Sequence, residues 1–412
     1  MASFPLEVMA GQKNITNFFE TFIDKDSLFK DKKILQSSYN PNNLLHRDEQ
    51  IKVIAQILAP SLRNERPSNL FIYGKTGTGK TACVRYVSNE MMKVSLERGI
   101  PLKIFYINCK LKRIADTEYR LIAQLAREFG KEIPPTGLPT DEVYNIFVKA
   151  LEAKEQTIIL ILDEIDQLIA KAGDEIIYNL TRINSDLKNA QIALVGISND
   201  LSFTNNLDPR VKSSLSEEEI VFPPYNAIQL QAILKERASL AFKEGIITEG
   251  VVEKCAAYAA REHGDARRAL ELLRVAGEIA ERKGGKKIVL DDIDEAEDKI
   301  ERDRFIDIVT TQPKQFQATL YSIFFILSQR NGLIYTGEVY EVYKEICNKS
   351  RLRPLTQRRV SDIIGEMDML GLINAKVISH GRFGRTREIS ISLSSSIKTR
   401  IKKILEEDLD IS

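Results

Sequence analysis

Between Leu70 and Phe222 the chain alternates short apolar runs with longer stretches whose apolar positions recur at helical spacing. The runs are Leu70 to Tyr73, Leu102 to Ile107, Ile158 to Leu162, Ile192 to Ile197 and Glu219 to Phe222. Continuous apolar strands separated by amphipathic helices predict a parallel five-stranded sheet covered on both faces. Pro223-Pro224 ends this rhythm. From Asn226 to Ile300 the pattern is helical, with Asn226, Thr248, Asp265 and Asp291 as expected N-caps and Gly284-Gly285 as a turn. Past Thr310, helical spacing covers Gln315 to Ser328, Thr336 to Asn348 and Thr356 to Leu370. Two short strands follow, near Lys376 to Ser379 and Arg387 to Leu393, around a Gly-Arg-Phe-Gly-Arg turn. Three helices and a two-stranded wing predict the winged variant of helix-turn-helix. Upstream of the sheet, the first residues show no sustained period, Asn40-Pro41-Asn42-Asn43 makes a turn, and Arg47 to Leu58 has helical spacing. The expected organisation is an arm over 1–38, an α/β domain over 39–224, a helical domain over 225–309 and a winged-helix domain over 310–412.

Composition narrows the class only a little. With 43% apolar and 28% charged residues in 412, this is the profile of a globular protein of two or three domains. The net charge of +1 conceals an asymmetry: Thr310 to Ser412 carries 16 Lys and Arg against 11 Asp and Glu, the remainder 43 against 47. Basic excess gathers where a polyanion would dock. Cys83, Cys109, Cys255 and Cys347 lie far apart, match no metal-ligand spacing and are expected as reduced, buried thiols. No leader pattern opens the chain and no apolar run approaches the ~18 residues that span a bilayer, so a cytosolic protein with no membrane partner is expected.

Gly74-Lys75-Thr76-Gly77-Thr78-Gly79-Lys80-Thr81 fits G-x-x-x-x-G-K-[ST] and stands between an apolar strand and a helix, the context of an ATP-binding loop. Its glycines let backbone N–H groups face the phosphates at a helix N-terminus. Lys80 would pair with the β- and γ-phosphates, and the Thr81 hydroxyl would ligate Mg²⁺. The run Ile158 to Leu162 ends in Asp163-Glu164-Ile165-Asp166. Asp163 there would hold Mg²⁺ through water, and Glu164 would orient and deprotonate the attacking water. A helix N-terminus that merely gathers acids is the structural alternative. Ile192 to Ile197 similarly run into Ser198-Asn199-Asp200, where Asn199 either reaches the γ-phosphate or caps the next helix.

A phosphate loop, Asp163-Glu164, Asn199, Arg210 and then Gly264-Asp265-Ala266-Arg267-Arg268 in a helical domain: in this order the chain resembles the AAA+ ATPases. Three segments narrow the resemblance to the archaeal initiators of DNA replication, related to the origin-recognition and cell-division-control ATPases. They are Leu207-Asp208-Pro209-Arg210-Val211-Lys212-Ser213-Ser214, Phe222-Pro223-Pro224-Tyr225 and Leu355-Thr356-Gln357-Arg358-Arg359-Val360-Ser361. The resemblance runs from about Tyr39 to the end of the wing and implies an AAA+ P-loop domain, a helical lid and a winged helix. It implies Asn199 as the sensor at the γ-phosphate and Arg210 as an arginine finger presented to a neighbouring subunit's nucleotide. It implies Arg267 as a second sensor reaching from the lid. Otherwise Arg210 would pair with Asp208, and Arg267 would be a solvated lid arginine, the role that suits Arg268. Tyr225 and Arg237 are implied to line the nucleotide, with Asn43, Leu44 and Arg47 closing the base pocket; a hinge core role is the alternative for Tyr225.

Arg351, Arg353, Arg358 and Arg359 fall within nine residues that hold no acid. Arg358 and Arg359 occupy the first turn of the helix expected from Thr356, the part of a helix-turn-helix that reaches base edges. Gln357 and Arg358 are therefore the base-reading candidates. Cations there oppose the helix macrodipole by roughly 0.3–1 kcal/mol each, which speaks for a ligand, although solvated charge runs are common. The wing, Gly381-Arg382-Phe383-Gly384-Arg385-Thr386-Arg387, sets Arg382, Arg385 and Arg387 around the aromatic Phe383, to follow a phosphate backbone or enter a minor groove. Lys110, Lys112 and Arg113 are a second candidate, since the family carries a helical insertion after its second strand and Lys110 to Gly130 matches it in place.

The expected function is an initiator switched by ATP and ADP, with Mg²⁺, that binds double-stranded origin DNA and helps recruit or load the replicative helicase. Related initiator subunits on adjacent sites are the expected partners, and a slow, regulatory ATPase in the cytoplasm, at the nucleoid, is the expected activity. A clamp-loader-type ATPase, which should lack a winged helix, and a transcription regulator with an ATPase module are the alternatives. If Arg385 contacts phosphate, Arg385→Ala reduces the slope of log affinity against log salt by about one. A salt titration that returns the unaltered slope rules that contact out.

Overall fold

The computed structural model describes residues 26–39, 41, 43–110, 117–134, 136–201, 203, 207–215, 217–329, 332–379, 385–391, 393 and 395–411. Two compact units divide the chain, Met1–Ile293 and Asp294–Ser412. In the first, β1 Leu70–Tyr73, β2 Leu102–Asn108, β3 Gln156–Asp163, β4 Ala190–Ser198 and β5 Glu218–Val221 form one parallel sheet in the order β2-β3-β4-β1-β5. Each expected apolar run is one of these strands. Strand β3 is buried along its whole length, which is why its sequence shows no alternation.

Helices α1 Asp48–Leu58 and α2 Lys80–Arg98 cover one face, packing Ile54, Leu58, Val84 and Val87 against Ile72, Ile159 and Val195. The other face is covered by α3 Glu118–Glu128, α4 Thr140–Leu151, α5 Ile165–Ala172 and α6 Glu175–Arg182, through Leu121, Phe147, Leu168 and Leu180. Each fully buried side chain of this size stabilises the fold by about 1.5–3 kcal/mol. Helix α7 Pro209–Leu215 leads into β5. Because β4 lies between β3 and β1, the loop after β1, the tip of β4 and the acids ending β3 stand side by side. That crevice at the carboxyl ends of the strands is where open α/β sheets bind ligands.

The lid consists of α8 Ala227–Ala241, α9 Val251–Arg261 and α10 Ala266–Arg282. Asn226 caps α8 in a reciprocal box with Gln229, and Asp265 caps α10 by accepting from the Arg267 and Arg268 amides. Thr248 is not the cap expected of it. Helix α9 starts from Gly250 in the left-handed region (φ 84°), and the Thr248 hydroxyl donates to the Ile288 carbonyl at 2.8 Å instead. Asp291 lies inside the first turn of α11 Leu290–Thr311. Of the expected arm, the described part is built into the lid. The Leu28 amide donates to Glu281 at 2.8 Å, the Lys30 amide donates to the Ala241 carbonyl at 2.7 Å, and Phe29 packs on Phe242 at 4.6 Å between centroids. A glycine at 277 makes room, since a Cβ there would lie 2.7 Å from Phe29 Cζ.

The second unit contains α12 Lys314–Gln329, α13 Thr336–Lys349 and α14 Gln357–Met369, with β7 Asn374–Ser379 and β8 Arg385–Ser390 as the wing. Two additions extend the expected winged helix. A two-residue strand, β6 Ile334–Tyr335, joins the edge of the wing. Helix α15 Ser395–Asp408 closes the core with Ile397, Ile401 and Leu405. The wing tip with Arg382 and Phe383 lies outside the described residues, as do Lys112 and Arg113. The four cysteines are buried. Among the described residues, no helix is long and apolar enough to cross a membrane.

Candidate functional site

The loop from Gly74 to Thr81 leaves β1 and enters α2 through two left-handed glycines, Gly77 (φ 68°) and Gly79 (φ 91°). Its lysine is folded back on it: Lys80 Nζ donates to the carbonyls of Gly74 at 2.7 Å and Lys75 at 2.8 Å. Burial pulls the Lys80 pKa down to about 8, with the Asp163 carboxylate opposing that shift. The Thr81 hydroxyl donates to Asp163 Oδ2 at 2.9 Å. The same oxygen accepts from the Tyr106 hydroxyl, and Oδ1 accepts the Glu164 amide at 3.0 Å. Glu164 adopts a left-handed conformation (φ 55°), strained for a residue with a side chain, and Lys110 Nζ lies 3.6 Å from its carboxylate. At the tip of β4, Ser198 Oγ donates to Asp166 at 2.9 Å and accepts the Asp200 amide at 3.0 Å, which fixes the turn carrying Asn199.

The lid leans on this loop. Ala266 donates its amide to the Gly77 carbonyl at 3.2 Å, and the Thr76 hydroxyl donates to Asp265 at 3.2 Å. A Cβ at Gly77 would lie 1.7 Å from Asp265 Oδ1. Between loop and lid is a cavity of about 380 Å³. Gly77, Thr78, Gly79, Lys80, Thr81, Asp163, Glu164, Asn199, Asn43, Leu44, Tyr225, Arg237 and Arg267 all line it, so the fold brings most of the expected nucleotide residues together. Gly74, Lys75 and Thr76 form the start of the loop behind that lining. Arg210 is elsewhere, on exposed α7, paired with Asp208 through contacts of 3.1 Å. Arg268 pairs with Glu262 at 3.2 Å.

Arg47 stands behind the cavity instead of lining it as expected. Its guanidinium donates to the carbonyls of Thr78 at 2.9 Å and Pro223 at 2.6 Å and lies 3.8 Å over the Tyr225 ring. Its donors face the backbone of loop and hinge, because a buried charge must be saturated where it sits. Burial pushes the Tyr225 hydroxyl up to about 12, so it stays neutral. Among the lining residues not anticipated, Arg85, Tyr106 and Asn108 stand at the phosphate end beside Thr81 and Asp163. Arg85 lies 4.1 Å over the Tyr106 ring. Asn108 pairs in register with Asp163, and Arg85 lies one helical turn past Thr81. Knowing that β2 neighbours β3 would have pointed to both strand residues.

The residues present fit a nucleoside triphosphate with a divalent cation. Arg237 lines the cavity with its guanidinium 4.5 Å over Tyr39, and its Nη1 is buried without a hydrogen-bond partner. A buried cationic donor left short of an acceptor is matched by an anionic or carbonyl-bearing occupant. The Thr81 hydroxyl and the Asp163 carboxylate are the hard oxygen donors that Mg²⁺ takes.

In the second unit, the turn between α13 and α14 carries the arginines. Arg351 is left-handed (φ 55°), and the Leu352 amide reaches back to the Cys347 carbonyl at 2.8 Å, closing α13 where glycine is the usual residue. Thr356 caps α14, so Gln357, Arg358 and Arg359 form its exposed first turn. Arg359 pairs with Glu366 at 3.4 Å. Arg387, expected to face DNA, is half-buried: a Cβ at Gly365 of α14 would lie 3.2 Å from its Nη1 and Nη2. Arg353 is exposed and lends its carbonyl to Gln315 at 3.0 Å.

Three family models match the chain: an AAA domain over 63–202, a Cdc6 AAA+ ATPase-type lid domain over 231–298, and the CDC6 C-terminal winged helix domain over 307–399. The ORC1-type DNA replication protein 1 of Methanosarcina acetivorans is 51% identical over 402 residues, covering 97% of this chain and 95% of that protein. The ORC1-type DNA replication protein of Pyrococcus abyssi is 52% identical over 389 residues, 93% of this chain and 92% of its own. Among solved structures, the Aeropyrum pernix ORC1 protein in complex with DNA superposes with a TM-score of 0.80 at 44% identity, over 93% of this chain and 98% of that one.

Gly77→Ala meets both a left-handed φ and Asp265, so nucleotide affinity falls about tenfold or more, from ~1–3 kcal/mol of strain. Calorimetric titration with ATP measures it, and an unchanged affinity contradicts the loop–lid contact. Arg351→Gly relieves a left-handed residue, so stability holds or rises by up to ~1 kcal/mol while DNA affinity drops. Thermal unfolding and DNA titration together test this; a variant that melts earlier counts against it.

Proposed function

The chain belongs to the family of ORC1-type and Cdc6 DNA replication initiators, AAA+ ATPases with a C-terminal winged helix, and on that premise we propose that it is a nucleotide-switched binder of origin DNA. ATP or ADP occupies the cavity between loop and lid, and the nucleotide state sets how the protein holds DNA and helps recruit or load the replicative helicase. One observation carries the switch: the lid cap Asp265-Ala266 is hydrogen-bonded to the phosphate loop at Thr76 and Gly77, so phosphates cannot enter the loop unnoticed by the lid.

Lys80 leaves the loop carbonyls for the phosphates, and Arg267 approaches the same phosphates from α10. Glu164 takes the proton of the attacking water as Asn199 holds that water in line. Thr81 and Asp163 would hold Mg²⁺, which when bound offsets phosphate charge. Arg210, at the surface and away from the chain's own cavity, serves the nucleotide of a related initiator subunit on an adjacent site. Hydrolysis is slow because its role is to reset the switch.

On duplex DNA, Gln357 and Arg358 read bases, and Arg351, Arg353, Arg359 and the wing with Arg382, Phe383 and Arg385 hold phosphates and groove. Lys110, Lys112 and Arg113 add contacts from the ATPase domain. Footprinting on genomic origin DNA with ATP, with ADP and without nucleotide tests the switch. The footprint should differ between states, and three identical patterns sink the proposal. Arg358→Ala should lower affinity for that DNA by ~1–3 kcal/mol with little change on unrelated duplex. Equal losses on both remove Arg358 from base reading.

A further inference from the structure

The turn that launches α14 is held by side chains from two other helices. Gln315 on α12 donates through Nε2 to the Arg353 carbonyl at 3.0 Å, and its Oε1 accepts from the Tyr343 hydroxyl. The Tyr343 oxygen in turn accepts the Leu355 amide at 3.0 Å. Tyr340, one helical turn earlier on α13, donates its hydroxyl to the Leu355 carbonyl at 3.2 Å. Tyr343 is among the largest fully buried side chains of the protein.

Phenylalanine would fill the same core space. A hydroxyl taken out of water costs about 1–3 kcal/mol unless bonded, and the Tyr343 hydroxyl is bonded to the backbone just before α14, where the half-buried Gln315 amide also bonds. Leu355 immediately precedes the cap Thr356, and Arg358 follows two residues later. Any slackening at Leu355 rotates the first turn of α14 and moves Gln357 and Arg358 off the base edges. Phosphate contacts by long, flexible cations tolerate such a rotation; bidentate contacts to a base do not.

We propose that Tyr343 and Gln315 are positioning residues for DNA reading: their hydrogen bonds to Leu355 and Arg353 set the angle at which α14 meets the groove, and so act on sequence discrimination more than on total affinity. This rests on the assignment of α14 as the reading helix. Tyr343→Phe removes one oxygen and little else. The full chain is titrated with a duplex enriched by the unaltered protein from a random-sequence pool, and with a scrambled duplex of equal composition. The affinity ratio between the two should fall about fivefold to tenfold, with affinity and salt slope on the scrambled duplex unchanged. Hydrogen exchange at the Leu355 amide should accelerate. Gln315→Leu, which cuts the same network from α12, should reproduce the loss and answers the question if Tyr343→Phe does not fold.

A ratio that stays within about twofold for both variants, while Arg358→Ala lowers it, overturns the positioning role and leaves α14 as the reader. Equal weakening on both duplexes with earlier melting also overturns it, in favour of a role in folding alone. If Arg358→Ala leaves the ratio unchanged too, the premise about α14 is what fails.

Discussion

Arg47 places a guanidinium in the interior with 2% of its surface exposed. Burying such a charge costs several kcal/mol unless its donors are filled and its flat face is covered. Both needs are met by distant parts of the chain: the Thr78 carbonyl in the phosphate loop, the Pro223 carbonyl in the hinge, and the ring of Tyr225 just beyond it. Loop, hinge and the start of α1 must therefore meet at one point, or the charge is stranded. The rest of the cavity hangs from that junction. Tyr225 is turned toward the cavity by the cation on its back, and close approach at Gly79 leaves only 2.9 Å between a would-be Cβ and the Tyr225 hydroxyl.

The fold was legible wherever one physical rule acted alone. Strands buried on both faces cannot be amphipathic, so β1, β3 and β4 stood out as unbroken apolar runs. Asp265 and Asn226 announced their helices because a short polar side chain pairs with the amides beyond it. The misses come from pairing, which a single chain does not spell out. Tyr106 and Asn108 reach the cavity only because β2 lies against β3 in parallel register, and Arg47 is a clamp because three segments converge on it. Strand β6 is two residues long and exists only by pairing with β8. Helix α15 carried a readable spacing, Ile397, Ile401 and Leu405, in a segment otherwise dominated by charge.

Several cations singled out for function are found holding acids of the same chain. Arg210 sits on Asp208, Arg359 on Glu366, and Lys110 near Glu164. Solvent-accessible pairs of this kind contribute about 0–1 kcal/mol, so each holds its cation only loosely. The pairs keep long side chains short of full disorder. Arg387 differs: its guanidinium lies along α14 at Gly365, where it ties wing to helix.

The segment Leu28–Leu35 is fastened to α8 and α10, and the chain then runs through Tyr39 and Leu44 along the cavity wall before entering α1. It returns to the lid at Pro223-Pro224. The lid is thus tied to the sheet domain by this segment, by the hinge, and by the contacts of Asp265 and Ala266 with the phosphate loop. The wall at Tyr39, packed under Arg237, and the helix bearing Arg267 belong to that one assembly, so any shift of the lid alters both ends of the cavity at once.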